Sequence, residues 1–286
     1  MSGDVMVPAG TLVGWPLWRR QLAGVLRLEL RKTLLSSRSL MLYALAAMPV
    51  LLGGMHLLAT PFMPEGMASN LGRHARIFTG MYSTFILRFV IFLTCLWMFM
   101  NLFRGELIDR SLHYYLLTPI RRWLLVTGKF LAAWVSASVM LSSSTVLALL
   151  LMVLPAGPRE LADFFINGPG VGQVVAYVVT TVLACLGYGA LFLAIGLLTK
   201  NPIIPGVIIW GWESINYFLP ATLKKISVIH YLQALAPMPP QDGPFVILVE
   251  PVSPWIAVPG LLIVTAALLV LATWRAQRLE IVYGTD

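Results

Sequence analysis

The chain has 286 residues, 58% of them hydrophobic and only 11% charged, with a mean hydropathy of +0.83. A soluble domain carries roughly 25% charged residues, so this chain has too few polar side chains to cover a water-facing surface, and both a soluble enzyme and a disordered chain are excluded. Its net charge of +8 belongs in loops beside an anionic leaflet, so the expected partner is the lipid bilayer and no nucleic acid.

In chain order, the first element is an amphipathic helix from Trp18 to Leu35. At 100° per residue Arg20, Gly24, Arg27 and Arg31 share one side, while Trp18, Leu22, Val25 and Leu26 share the other, the pattern of a helix lying in the membrane interface. Glu29 breaks that pattern. It projects toward the apolar side, where it needs a partner, and a basic group on a neighbouring helix is one candidate. Residues 1–39 are therefore expected to form a cytoplasmic N-terminus carrying this helix, and residues 40–286 a transmembrane domain. No basic region followed by an apolar core and a cleavage site opens the chain, so no removable signal peptide is expected.

A membrane-crossing helix needs about 20 largely apolar residues. On that scale about six spans are expected: Leu40 to Thr60, Met81 to Phe103, Phe130 to Leu154, Val171 to Leu198, Ile203 to Pro220 and Trp255 to Trp274. Pro202, Pro205, Gly206, Gly211 and Glu213 make the fifth short or broken. Lys and Arg fall mostly on one side of these spans: Arg19, Arg20, Arg27, Arg31, Lys32 and Arg38, then Arg104, Arg110, Arg121, Arg122 and Lys129, then Lys200, Arg275 and Arg278. The other side receives Arg73, Arg76, Arg159, Lys224 and Lys225. That asymmetry predicts a multi-pass protein of a plasma membrane, of the bacterial inner-membrane type, with both termini in the cytoplasm.

Between spans two and three, residues 104–129 read RGELIDRSLHYYLLTPIRRWLLVTGK. Glu106 and Arg110 stand four apart in the favourable order, Leu107, Leu112 and Leu116 form an apolar strip, and Pro119 ends the helix. This is a short amphipathic helix on the cytoplasmic face, suited either to a groove in another protein or to the lipid interface. Glu106, Asp109 and Arg110 are its exposed charges. Gly128 lets the following span begin close to a neighbour. On the opposite face residues 221–254 form a long, proline-rich external loop, in which Ser227 to Ala234 is expected to form a short helix and Phe245 to Val249 to dip into the outer leaflet.

Ionisable groups inside spans are expensive and are candidate functional residues. Arg88, expected early in span two, either snorkels outward or joins Glu213 in a pair; together they would stabilise packing or line a polar path. The histidines His56, His74, His113 and His230 are scattered, and no metal-ligand or nucleophile spacing occurs. Cys95 and Cys185 lie inside apolar runs and read as core residues. No catalytic, cofactor-binding or metal-binding residue is expected.

The string from Gly105 to Lys129, with Glu106, Arg110, the Leu-Leu-Thr-Pro-Ile-Arg run from Leu116 to Arg121 and Gly128-Lys129, resembles the membrane subunits of type-2 ATP-binding-cassette (ABC) exporters. Trp212-Glu213-Ser214 through Leu232 is similar to the fifth span and external segment of such permeases. The resemblance implies that Trp18 to Leu35 is the elbow helix and Glu106 to Thr118 the coupling helix that contacts an ATPase subunit, with Glu106, Leu107, Asp109, Arg110, Leu112 and Leu116 at the contact. It implies a dimer with a second copy or a related permease, and an exporter of hydrophobic or amphipathic substrates. The chain has no G-x-x-x-x-G-K-[ST] phosphate loop, so ATP and Mg would be bound by the partner subunit. The competing readings are an ion-coupled carrier or channel, with Arg88 and Glu213 as relay groups, and an integral-membrane enzyme acting on lipid.

Overall fold

Within a bilayer a backbone satisfies its own polar groups most simply as a helix. The computed structural model describes residues 15–35, 39–64, 66–67, 69–108, 122–199, 203–218, 220–224, 226–237 and 253–277, and among them no strand occurs. The helices are α1 (Trp15–Leu35), α2 (Ser39–Ala59), α3 (Leu71–Met81), α4 (Phe92–Ile108), α5 (Arg122–Val153), α6 (Pro158–Ile166), α7 (Gly170–Leu198), α8 (Ile203–Ser214), α9 (Ala221–Lys224), α10 (Val228–Gln233) and α11 (Pro254–Gln277). A π-helical stretch, Tyr82–Ile91, joins α3 to α4 in one continuous rod.

Among the described residues five segments are long and apolar enough to cross a membrane: Ser39–Phe62, Leu71–Phe103, Trp123–Ala156, Gly170–Leu198 and Pro254–Gln277. The sequence suggested six. The missing one is α8, which runs for 12 residues. At 1.5 Å per residue it covers about 18 Å of a hydrocarbon core roughly 30 Å thick. Span two begins ten residues before the expected Met81, because the polar start of α3 (Arg73, His74, Arg76) continues the same rod. Span three begins at Trp123 rather than Phe130, so α4 and α5 take in both ends of the stretch expected as a loop over 104–129, of which residues 109–121 lie outside the described residues.

α5 is the hub. α1, α2, α7 and α11 pack on it, and α7 also packs against α4 and α11. The α3–α4 rod and α7 run parallel, as their rungs show: Thr79 Oγ1 and Tyr177 OH lie 2.9 Å apart, Tyr82 OH and Thr181 Oγ1 3.1 Å, and farther along Phe92 meets Phe192 edge to face with centroids 5.0 Å apart. Parallel neighbours require a crossing between them in the chain, which α5 provides. Small side chains allow the close α2–α5 contact, where Ser144 Oγ donates to the Ala46 carbonyl. Cys95 and Cys185 are free and fully buried in this core.

Candidate functional site

Among the described residues two constellations of charged residues lie inside the bundle. The first is built where two helix ends meet. α8 runs antiparallel to α4: Gly206, near its start, is so close to Leu96 that a Cβ there would lie 2.5 Å from Leu96 Cδ1, and Glu213, near its end, reaches Arg88. Arg88 sits near the midpoint of the Leu71–Ile108 rod, not early in a span, because the rod begins sooner than its hydropathy suggests. Its Nη1 donates to the main-chain carbonyl of Glu213 at 3.1 Å, one of the last carbonyls of α8, which lack partners within the helix.

The Glu213 carboxylate is 5% exposed and turned the other way, onto the start of α10. Its Oε1 accepts from the Val228 N–H at 3.1 Å, and its Oε2 accepts from the Ile229 N–H at 2.9 Å, the Ser227 hydroxyl at 2.8 Å and the Tyr188 hydroxyl at 3.3 Å. Val228 and Ile229 are the first two residues of α10, so a carboxylate on another helix supplies the acceptors that a capping side chain would ordinarily supply. Negative charge at that end also suits the helix dipole. A carboxylate offers about four acceptor sites, and four donors face this one. Arg88 and Glu213 thus meet through a main-chain carbonyl, while the carboxylate serves α10.

The second constellation lies between α1 and α5. Lys129 Nζ donates to Glu29 Oε1 at 2.6 Å, with the lysine fully buried and the glutamate side chain 5% exposed. The ammonium also lies 5.6 Å from the centroid of the Phe103 ring of α4. The apolar-side position of Glu29 called for a partner, with a basic group one candidate, and the partner is Lys129, counted from the sequence among the loop charges. Lys129 is buried because α5 starts at Arg122, a full two turns before the apolar run. Next to it, a Cβ on Gly128 would stand 2.9 Å from Val25 Cγ1, so glycine lets α1 lie directly on α5.

Glu106 and Leu107 occupy the last turn of α4, and Asp109, Arg110, Leu112 and Leu116 lie outside the described residues. So does Phe245 to Val249, while the short helix expected after Ser227 is α10. His56 and His74, expected to be scattered, come together across α2 and α3 with Nε2 and Nδ1 2.8 Å apart. The signal for that contact was the pairing of histidines at the same end of consecutive spans. Among the described residues no group of three or more His, Cys, Asp or Glu side chains gathers at a metal-binding distance.

Among the described residues five span-length helices, four of them packed around α5, together with the shorter α8 define a multi-pass helical membrane protein. The chain matches no known protein-family profile and no curated protein.

Proposed function

We propose that this chain is the permease subunit of an ATP-driven exporter of the type-2 ABC class, moving a hydrophobic or amphipathic substrate across the plasma membrane while a separate nucleotide-binding subunit hydrolyses ATP. The observation that carries the reading is the 2.6 Å Lys129–Glu29 pair. It fastens the surface helix α1 to the first turns of α5, immediately after residues 109–121. A force applied to that stretch of chain by a partner would move α1 and α5 together, which is what a coupling element must do. The order of elements supports the same reading: α1, two spans, residues 109–121, two spans, a fifth crossing begun by α8 and continued by the short segments through α10, and a last span. In this arrangement both termini are cytoplasmic, the subunit dimerises with a second copy or a relative, and ATP with Mg belongs to the partner.

In this reading Arg88 and Glu213 are positioning residues. The four donors on the carboxylate and the bond to its own carbonyl hold α8 and α10 in place inside the membrane, where an unsatisfied helix end is costly. Differential contact of the loop with the ATP-bound and nucleotide-free partner supplies the energy that switches access.

The test begins with purification from the native membrane. A stoichiometric ATPase is expected to co-purify, and reversing Glu106 and Arg110 together with Leu112→Ala is expected to abolish transport and ATPase stimulation while leaving the thermal unfolding profile in place. Unchanged transport in that variant overturns the reading. Transport that survives ATP depletion and collapses with the ion gradient would replace it with the ion-coupled carrier, for which the buried charges Arg88 and Glu213 would be the relay.

A further inference from the structure

A groove of about 500 Å³ opens between α1, α2 and α5. That volume lies within the roughly 300–1,000 Å³ of small-molecule sites. Its walls are apolar: Leu30 and Leu34 from α1, Ala47 and Val50 from α2, Val139 and Leu147 from α5. Two of the three walls are helices long and apolar enough to span a membrane and the third is the basic helix α1, an arrangement that would set the groove at acyl-chain depth on the side of the bilayer that the Lys and Arg asymmetry marks as basic. At its interfacial edge the helix adds charge. Arg27 and Arg31 are exposed, and the 3.6-residue period places both within about 60° of Leu34, on the same face that borders the groove.

An apolar slot at chain depth, topped by two guanidinium groups, has a definite chemistry. The slot accepts one hydrocarbon chain, and the arginines accept an anionic phosphodiester headgroup, which guanidinium recognises bidentately. The exposed outer face of α2, carrying Leu51 and Met55 at 64% and 65% exposure, points away from the groove, so ordinary lipid contact or a neighbouring subunit there would leave the slot open. We propose that this groove is a binding site for an anionic phospholipid of the basic-side leaflet, with one acyl chain between α1, α2 and α5 and the headgroup on Arg27 and Arg31. The site is built from residues other than 109–121 and does not depend on the transport reading.

The test reconstitutes the full chain in phosphatidylcholine vesicles containing trace spin-labelled phosphatidylglycerol or spin-labelled phosphatidylcholine, and reads the motionally restricted fraction by electron paramagnetic resonance. Phosphatidylglycerol is expected to be restricted preferentially, with the preference falling about fivefold for each of Arg27→Gln and Arg31→Gln, the equivalent of about 1 kcal/mol per basic residue. Filling the groove with Val139→Trp, at a position 66% exposed and therefore free to grow without disturbing the core, is expected to remove the preferential fraction. Val207→Trp, on the exposed face of α8, is expected to leave it intact. Equal restriction of the two lipids by the unaltered chain overturns the proposal. So does a Val139→Trp chain that keeps its preferential fraction, or one that loses subunit association in place of lipid.

Discussion

Replacing Glu213 with alanine would strip four donors of their acceptor at once: two main-chain N–H groups, a serine and a tyrosine. Buried donors left unsatisfied cost roughly 1–3 kcal/mol each, partly relieved by relaxation, so Glu213→Ala is expected to destabilise the protein by about 3 kcal/mol or more in denaturant titration in detergent. Ser227→Ala removes one donor and leaves the helix-capping bonds, and should cost about 1 kcal/mol. If Glu213→Ala were no worse than Ser227→Ala, the carboxylate would not be what holds α10. None of this was legible beforehand. An acid among tryptophans was visible in the sequence, and a basic partner was the natural guess. The actual acceptor duty is toward main-chain N–H groups 15 and 16 residues farther on, and backbone donors leave no mark on a side-chain pattern.

At the scale of the element, α1 depends on a buried ion pair and a glycine. Removing one member of such a pair leaves the other charge unpaired and costs about 3–5 kcal/mol, whereas replacing both with apolar residues is often near neutral. Lys129→Met is accordingly expected to loosen α1 strongly, and Lys129→Met with Glu29→Leu to recover most of the loss, read by unfolding and by protease sensitivity around α1. Gly128→Ala should cost about 1–3 kcal/mol through overpacking on Val25, and Val25→Ala in the same chain should relieve part of it. Strict additivity of those two changes would argue that the helices do not touch there. That Glu29 needs a partner, with a cation one candidate, was readable from its place on an apolar face. Which cation was not, since Arg121, Arg122 and Lys129 all stood in what read as a loop, and only the early start of α5 carries Lys129 into the core. The long apolar runs were the readable part: the limits of α2, α7 and α11 fall within a few residues of expectation, because a bilayer fixes both their length and their hydropathy.

For the whole molecule the decisive quantity is which ends share a side. Cys95 and Cys185 are fully buried, so the unaltered chain is expected to resist polar thiol reagents until it is unfolded. Single cysteines then report topology. Cysteines at Leu35 and Gln277 are expected to react from one face of a sealed vesicle, and one at Asn70 from the other; labelling of Leu35 and Gln277 from opposite faces would leave an odd number of crossings and remove the role given to α8. The bundle was legible as a class because composition alone forces helices into lipid. The half-length α8 was harder to read, since its prolines and glycines signal a break without saying at what depth the chain stops.

The shared capping of α8 and α10 also constrains how the protein is made. Glu213 is synthesised before Ser227, Val228 and Ile229, and a helix of 12 residues carrying an acid that still lacks its donors is a poor candidate for insertion by itself. α8 must therefore wait at the membrane surface, or within the insertion machinery, until α10 emerges and the two can be released into lipid as one unit. Biogenesis of the last third of the chain is in that sense a single late event, and a ribosome stalled before Ser227 would leave behind a bundle whose earlier spans are inserted and whose α8 is not.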